Sequence, residues 1–243
     1  RPVPFGAGRA TEGTCDDQPA PFSASPFLSG EVRGGLSPSP HQGATRVRRT
    51  IGMGMVGMTG TRQVLFIQGG GAGAHDEWDD KLVDSMRREL GDAYEVRYPR
   101  MPDEDDPSYA RWSPAIRREM ADLADGAVVA GHSVGGTMLI HALAEQWPDR
   151  RLAAIVLIAA PFVGRGGWPG AELELPGDLG AKLPHGARVH VFHGLDDETA
   201  LPSHADLYAR VIPQAQVHRL PGRDHQLNND LSEVAEAIST GRA

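Results

Sequence analysis

The chain has 243 residues, 40% of them hydrophobic and 23% charged, with a formal net charge of −8 at pH 7. That length accommodates one large domain, or a smaller one with an appendage, and the negative balance argues against nucleic acid or an anionic membrane as the main partner. The one cysteine, Cys15, has no partner for an internal disulfide, and no apolar run approaches the roughly 20 residues of a membrane span, so a cytoplasmic protein is expected.

Residues 1–60 are dominated by Pro, Gly, Ser and Arg, and neither period two nor period 3.6 persists there. Such a stretch buries too little apolar surface to offset its ordering entropy and is expected to be disordered. The opening Arg1–Pro4 does not resemble a secretory signal, and Glu12, Asp16, Asp17 and Glu31 are at odds with a transit peptide. Met53, Met55 and Met58 precede the first predicted strand, and the working protein is expected to start at one of them.

The folded part, residues 61–243, opens with Val64-Leu65-Phe66-Ile67, an apolar run of the kind that forms a buried parallel strand. It leads into the side-chain-poor loop Gln68 to Ala74. Trp78, Leu82, Val83, Met86 and Leu90 then recur with helical spacing up to Gly91. Tyr94–Tyr98 reads as a second strand, an acidic loop runs from Met101 to Pro107, and Trp112, Ile116, Met120 and Leu123 mark a second helix. Val128-Val129-Ala130 climbs into Gly131-His132-Ser133-Val134-Gly135, and the apolar helix Met138–Leu143 follows. Further strands are predicted over Ala154–Ala159, Arg188–His193 and Gln216–Leu220, with helices over Ser203–Val211 and about Asn229–Ile238. Residues 161–186 are irregular, too short for a multi-helix lid. Six strands alternating with helices imply an α/β fold with a mostly parallel sheet covered on both faces.

In such sheets ligands bind beyond the carboxyl ends of the strands. The polar residues there are Gln68 after strand one, Ser133 after strand three, Asp196 and Asp197 after strand five, and Asp224 and His225 after strand six. A serine flanked at two residues by glycines, on a sharp strand-to-helix turn, is a nucleophile elbow. Serine, acid, histidine is the chain order of one hydrolase triad, in which imidazole takes the hydroxyl proton and a carboxylate fixes its tautomer.

With these motifs the region from about Gln63 onward resembles an α/β-hydrolase. His193-Gly194-Leu195-Asp196-Asp197 resembles the His-Gly-x-x-Asp that carries the acid in many members, and Gly222-Arg223-Asp224-His225 the Gly-x-x-His that carries the base. The compact build, with Met101 to Pro107 and Trp112, is similar to the small serine hydrolases related to retinoblastoma-binding protein nine. The resemblance implies Ser133 as nucleophile, Asp197 as acid in preference to Asp196, His225 as base, and the N–H groups of Gly70 and Val134 as oxyanion donors. It implies a lightly covered site, a small-molecule ester, thioester or amide substrate, and no metal or cofactor. Gln68-Gly69 replaces the His-Gly that relatives often carry. A binding protein without turnover, a C–C hydrolase or a cofactor-free haloperoxidase would use the same fold and residues.

Other residues invite less chemistry. His132 either lines the site or packs. His190 and His193, an odd number of positions apart on a strand, face opposite ways and should not share a metal. Asp103 to Asp106 lacks the spacing of a calcium loop, and the glycine-rich loop lacks the P-loop lysine. Asp224 suits a turn, and Trp78 and Trp112 suit core packing.

Overall fold

The computed structural model describes residues 60–240. The expected disordered extension and the candidate starts Met53, Met55 and Met58 lie outside the described residues, save Gly60. Strands β1 (Arg62–Ile67), β2 (Tyr94–Arg97), β3 (Ala127–His132), β4 (Leu152–Ile158), β5 (Arg188–Gly194) and β6 (Gln216–Leu220) form one sheet in the order β2-β1-β3-β4-β5-β6. Every pairing is parallel.

Period two along the strands decides which layer each side chain joins. Val64 and Phe66, with Val128, Ala130 and Val156, face helices α1 (Asp79–Leu90) and α5 (Ser232–Thr240), where Leu82, Val83, Met86, Val234 and Ile238 meet them. Leu65 and Ile67, with Val129, Ile155 and Leu157, face α2 (Tyr109–Ala121), α3 (Ser133–Glu145) and α4 (Ser203–Val211) through Trp112, Ile116, Leu139, Leu143 and Tyr208. Each Val, Leu, Ile, Phe or Met among them contributes about 1.5–3 kcal/mol by leaving water. From β1 the chain crosses to β2 on one side and then to β3 on the other, so a crevice opens beyond the carboxyl ends of β1 and β3. Residues 162–187 hold two short 3₁₀ turns, Ala171–Leu173 and Leu179–Lys182, and pin themselves to the core through Leu175, Leu179 and Leu183. Among the described residues no helix is long and apolar enough to cross a membrane.

Two elements differ from expectation. Trp78 is 49% exposed, with the Lys81 ammonium over its ring, whereas Trp112 is fully buried. Trp78 closes a wide π-type turn, Ala74–Trp78, ahead of α1, and the buried face formed by Leu82, Val83 and Met86 extends back to Asp79 and not to Trp78. The last helix starts at Ser232, later than about Asn229, because Leu227, Asn228 and Asn229 all take positive φ (48°, 57° and 57°) and end the preceding turn. Asp230 then accepts the Ser232 N–H at 3.0 Å, satisfying one open donor of the helix.

On β5, His190 is 2% exposed, and its Nδ1 lies 3.1 Å from Nε2 of His218 on β6. Burial, with the charges of His218 and Arg188, pushes the His190 imidazole down to about 4. The unfolded chain, with an ordinary histidine near pKa 6.5, therefore binds this proton more readily, and stability falls as the pH drops from about 6.5 toward 4. Urea midpoints across that range should fall less steeply in His190→Phe than in the wild type. Equal slopes would exclude His190 as a contributor.

Candidate active site

The turn between β3 and α3 is built by close backbone approach. A Cβ on Gly135 would overlap the carbonyl oxygen of Gln68, and one on Gly131 would stand 2.6 Å from the Gly136 Cα. With glycine at these positions the chain reverses sharply enough to leave Ser133 at φ 50°, a left-handed conformation costly for serine, with its side chain at the head of α3.

Ser133 Oγ lies 2.9 Å from His225 Nε2, and His225 Nδ1 lies 2.8 Å from Asp197 Oδ2. The structure thus brings together the serine, histidine and aspartate singled out in the sequence. Asp197 is 2% exposed, and its Oδ1 accepts the N–H groups of Thr199 and Ala200, both at 2.9 Å. Burial alone would raise its pKa, but hydrogen bonds from His193 and His225 hold the carboxyl well below the usual range. For His225 burial is the largest influence and lowers the imidazole pKa, helped by His132 and His193 and opposed by Asp197. At neutral pH the ring is therefore uncharged, with Nδ1–H toward the carboxylate and the Nε2 lone pair toward the hydroxyl. Asp196 stays exposed at the surface, its N–H donating to the Arg223 carbonyl at 3.0 Å. Asp224 is likewise exposed, and its Oδ1 accepts the Asn228 N–H at 2.7 Å, closing a turn.

The loop after β1 is held from two sides. Gln68 is fully buried; its Oε1 accepts the Met101 N–H at 2.9 Å, and its Nε2 donates to the Glu104 carboxylate at 2.5 Å. The same carboxylate accepts the His75 N–H at 3.0 Å, and the Glu104 carbonyl accepts the Gly71 N–H at 2.7 Å. Gln68 therefore fastens this loop to the acidic segment 101–107, of which Glu104 is a partly buried anchor. Gly69 N–H is engaged by Asp79 Oδ2 at 2.6 Å. Gly70 N–H has no acceptor among the described residues. A Cβ on Gly70 would come within 2.9 Å of Val134 Cγ1, so the two residues named as oxyanion donors are neighbours. Val134 is the second residue of α3, where an N–H finds no acceptor within the helix.

Asp79 is the residue that sequence reasoning missed. It is 1% exposed and contacts His132 Nδ1 through Oδ1 at 2.9 Å and Oδ2 at 3.0 Å. His132, also 1% exposed, reaches the His225 carbonyl oxygen through Nε2 at 3.1 Å, so it packs beneath the site rather than lining it. The signal was present: extending the Leu82, Val83, Met86 face back one turn lands on Asp79, a carboxylate on an apolar stripe.

The remaining histidines are taken up locally. His190 pairs with His218, and His193 Nε2 donates to the Ala200 carbonyl at 2.6 Å. Among the described residues no group of three or more His, Cys, Asp or Glu side chains is disposed to hold a metal ion.

A family model described as serine hydrolase matches residues 65–228. No curated protein matches the chain. Among solved structures, the product of the ydeN gene of B. subtilis is 18% identical, with 74% of this chain and 98% of that one covered and a TM-score of 0.60. A serine hydrolase involved in carbazole degradation, the CarC enzyme, is 14% identical over 74% of this chain and 90% of its own, at a TM-score of 0.59. XC6422 from Xanthomonas campestris, described as an α/β serine hydrolase without lid, is 18% identical over 74% and 80%, at a TM-score of 0.51. At these identities the likeness is one of fold.

The crowding at the elbow makes a direct prediction. Gly135→Ala drives a methyl into backbone rather than into a movable side chain, and should cost about 1–3 kcal/mol or more in urea unfolding. Gly177→Ala, with open space around it, is the control and should stay within about 1 kcal/mol of wild type. Equal stability of the two variants would refute the crowding.

Proposed function

The chain belongs to the serine hydrolase family, and from that premise we propose that it cleaves a carboxylic ester, or a thioester or small amide, through an acyl-enzyme on Ser133. Ser133 Oγ attacks the carbonyl carbon as His225 Nε2 takes its proton, and Asp197 steadies the imidazolium that forms. The N–H groups of Gly70 and Val134 face the oxyanion, a charge that develops only in the transition state. His225 then gives its proton to the departing alcohol, thiol or amine. Water repeats the sequence on the acyl-enzyme, losing a proton to His225 and restoring the Ser133 hydroxyl. The chain supplies each of these groups, so the reaction asks for no cofactor. A reducing, cytoplasmic setting fits a chain whose one cysteine, Cys15, has no internal partner.

The observation that supports this reading most is the continuous run of hydrogen bonds from Ser133 Oγ to His225 and on to Asp197, 2.9 and 2.8 Å. A serine hydroxyl is unreactive without such a base, and the lowered pKa of His225 keeps that base unprotonated at neutral pH.

Wild-type protein should react covalently at Ser133 with a fluorophosphonate and turn over a short-chain nitrophenyl ester. Ser133→Ala should abolish both, with kcat down by about 10⁵- to 10⁶-fold. Retained ester hydrolysis in that variant would refute the assignment, and a wild-type protein inert to the probe would leave a binding scaffold in its place. Asp197→Asn should lower kcat by about 10⁴-fold, whereas Asp196→Asn should change it by no more than about threefold. Because protonated His225 cannot accept the serine proton, kcat/KM should be lost as pH falls, through a group titrating below about 6.5.

A further inference from the structure

Beneath the reaction centre lies a second aspartate–histidine contact, and its hydrogen bonds reach all three segments that carry the chemistry. Asp79, from α1, accepts the Gly69 N–H at 2.6 Å, one residue before Gly70. It also holds His132 Nδ1, one residue before Ser133, at 2.9 and 3.0 Å. His132 Nε2 in turn meets the carbonyl oxygen of His225 itself, at 3.1 Å.

The proton count follows from the partners. A carbonyl oxygen has no hydrogen to give, so Nε2 must carry one. On the other side Nδ1 faces a carboxylate whose Oδ2 already accepts the Gly69 N–H. Both ring nitrogens therefore point at acceptors, and an imidazolium paired with a carboxylate satisfies every group. Burial alone would lower the His132 pKa and raise that of Asp79, but their mutual attraction moves both the other way, toward the ionised forms. The groups facing His132 are Asp79 from α1 and His225 from the loop after β6, with Asp197 beyond. Those facing His225 are Ser133, Asp197, His132 and His193. The His132 and His225 rings stand 5.0 Å apart, with Asp79 on the far side of His132.

We propose that Asp79 and His132 form a buried carboxylate–imidazolium pair that positions the Gly70 loop, the Ser133 turn and the His225 loop as one unit, and that keeps a positive charge behind the base. The proposal rests on Ser133 and His225 as nucleophile and base. It makes Asp79 and His132 positioning residues: neither touches the reacting atoms. Through the fixed loops the pair sets the geometry of attack, and through its charge it disfavours protonation of His225, extending activity toward acid.

Two measurements on the full chain test this. In ¹⁵N-histidine NMR at pH 7, His132 should show both ring nitrogens protonated, whatever the protein's activity. A neutral His132 ring in the wild type would overturn the pair. The variant Asp79→Asn can keep each hydrogen bond, its oxygen accepting from Gly69 and its amide donating to a neutral His132, while both charges disappear. In Asp79→Asn the His132 signal should become that of the neutral Nε2–H form. The acid limb of kcat/KM for a nitrophenyl ester should also move up by about one pH unit, with KM little changed. His132→Phe, which loses both bonds, should lose at least about 100-fold in kcat, much more than Asp79→Asn above its limb. An unmoved acid limb in Asp79→Asn, or near-wild-type kcat in His132→Phe, would overturn the positioning role. Should His132→Phe fail to fold, Asp79→Asn and the NMR still decide. A wild-type protein that resists the fluorophosphonate sinks the hydrolase reading instead, and the NMR spectrum still reports whether the ion pair exists.

Discussion

The site depends on the register between two neighbouring strands. Ile67 of β1 is paired with Gly131 of β3, so the chain leaving each strand emerges beside the other. Gln68, Gly69 and Gly70 therefore pass against His132, Ser133 and Val134, closely enough that a Cβ on Gly69 would meet His132 Nδ1 at 3.1 Å and Ser133 Cβ at 3.3 Å. Both strands are buried on both faces, which fixes this register strongly. A slip by one residue would exchange every side chain between the two helical layers. The same apolar packing that stabilises the domain thus holds the Gly69–Gly70 loop against the Ser133 turn.

Burying ionisable groups is costly, and this centre brings together two buried carboxylates, Asp79 and Asp197, two buried imidazoles, His132 and His193, and the half-buried His225. An unpaired charge there would cost several kcal/mol. Asp197 has three kinds of donor around it, the N–H groups of Thr199 and Ala200, His193 and His225, and Asp79 has two, Gly69 and His132. Each carboxylate faces an imidazole whose other nitrogen is also engaged. Two parallel aspartate–histidine units result, one ending on the Ser133 hydroxyl and one on a backbone carbonyl. Their chemistry differs because a hydroxyl can give up a proton and a carbonyl cannot.

Much of this was legible in the amino-acid order. The strands announce themselves as β-branched runs because parallel strands are buried on both faces, and Ser133, Asp197 and His225 stand out because strand ends are where a buried sheet meets solvent. Asp79 was passed over because its apolar neighbour Trp78 reads as the start of the buried stripe, although Asp79 is the residue one turn back along the face of Leu82, Val83 and Met86. Glu104 was hidden for the opposite reason. In an acidic loop without periodicity nothing distinguishes it from Asp103 or Asp105, and only the position of Gln68 on a distant strand gives it a role. His132 carried two equally plausible readings, since a histidine beside an elbow serine faces either the cavity or the core, and sequence does not encode which.

The Ser133–His225 hydrogen bond joins residues 92 positions apart, and the His132 contact to the His225 carbonyl spans 93. No segment of the chain contains a working fragment of the site, and parallel pairing across so many intervening residues must pay loop-closure entropy before it returns any contact energy. The hydrogen bonds to His225 therefore exist only where β6 lies beside β5 and the loop after it reaches back to the Ser133 turn. A chain cut between β5 and β6 and parted from its last segment would keep Ser133 and Asp197 but lose His225, and with it the hydrogen-bond link between the other two.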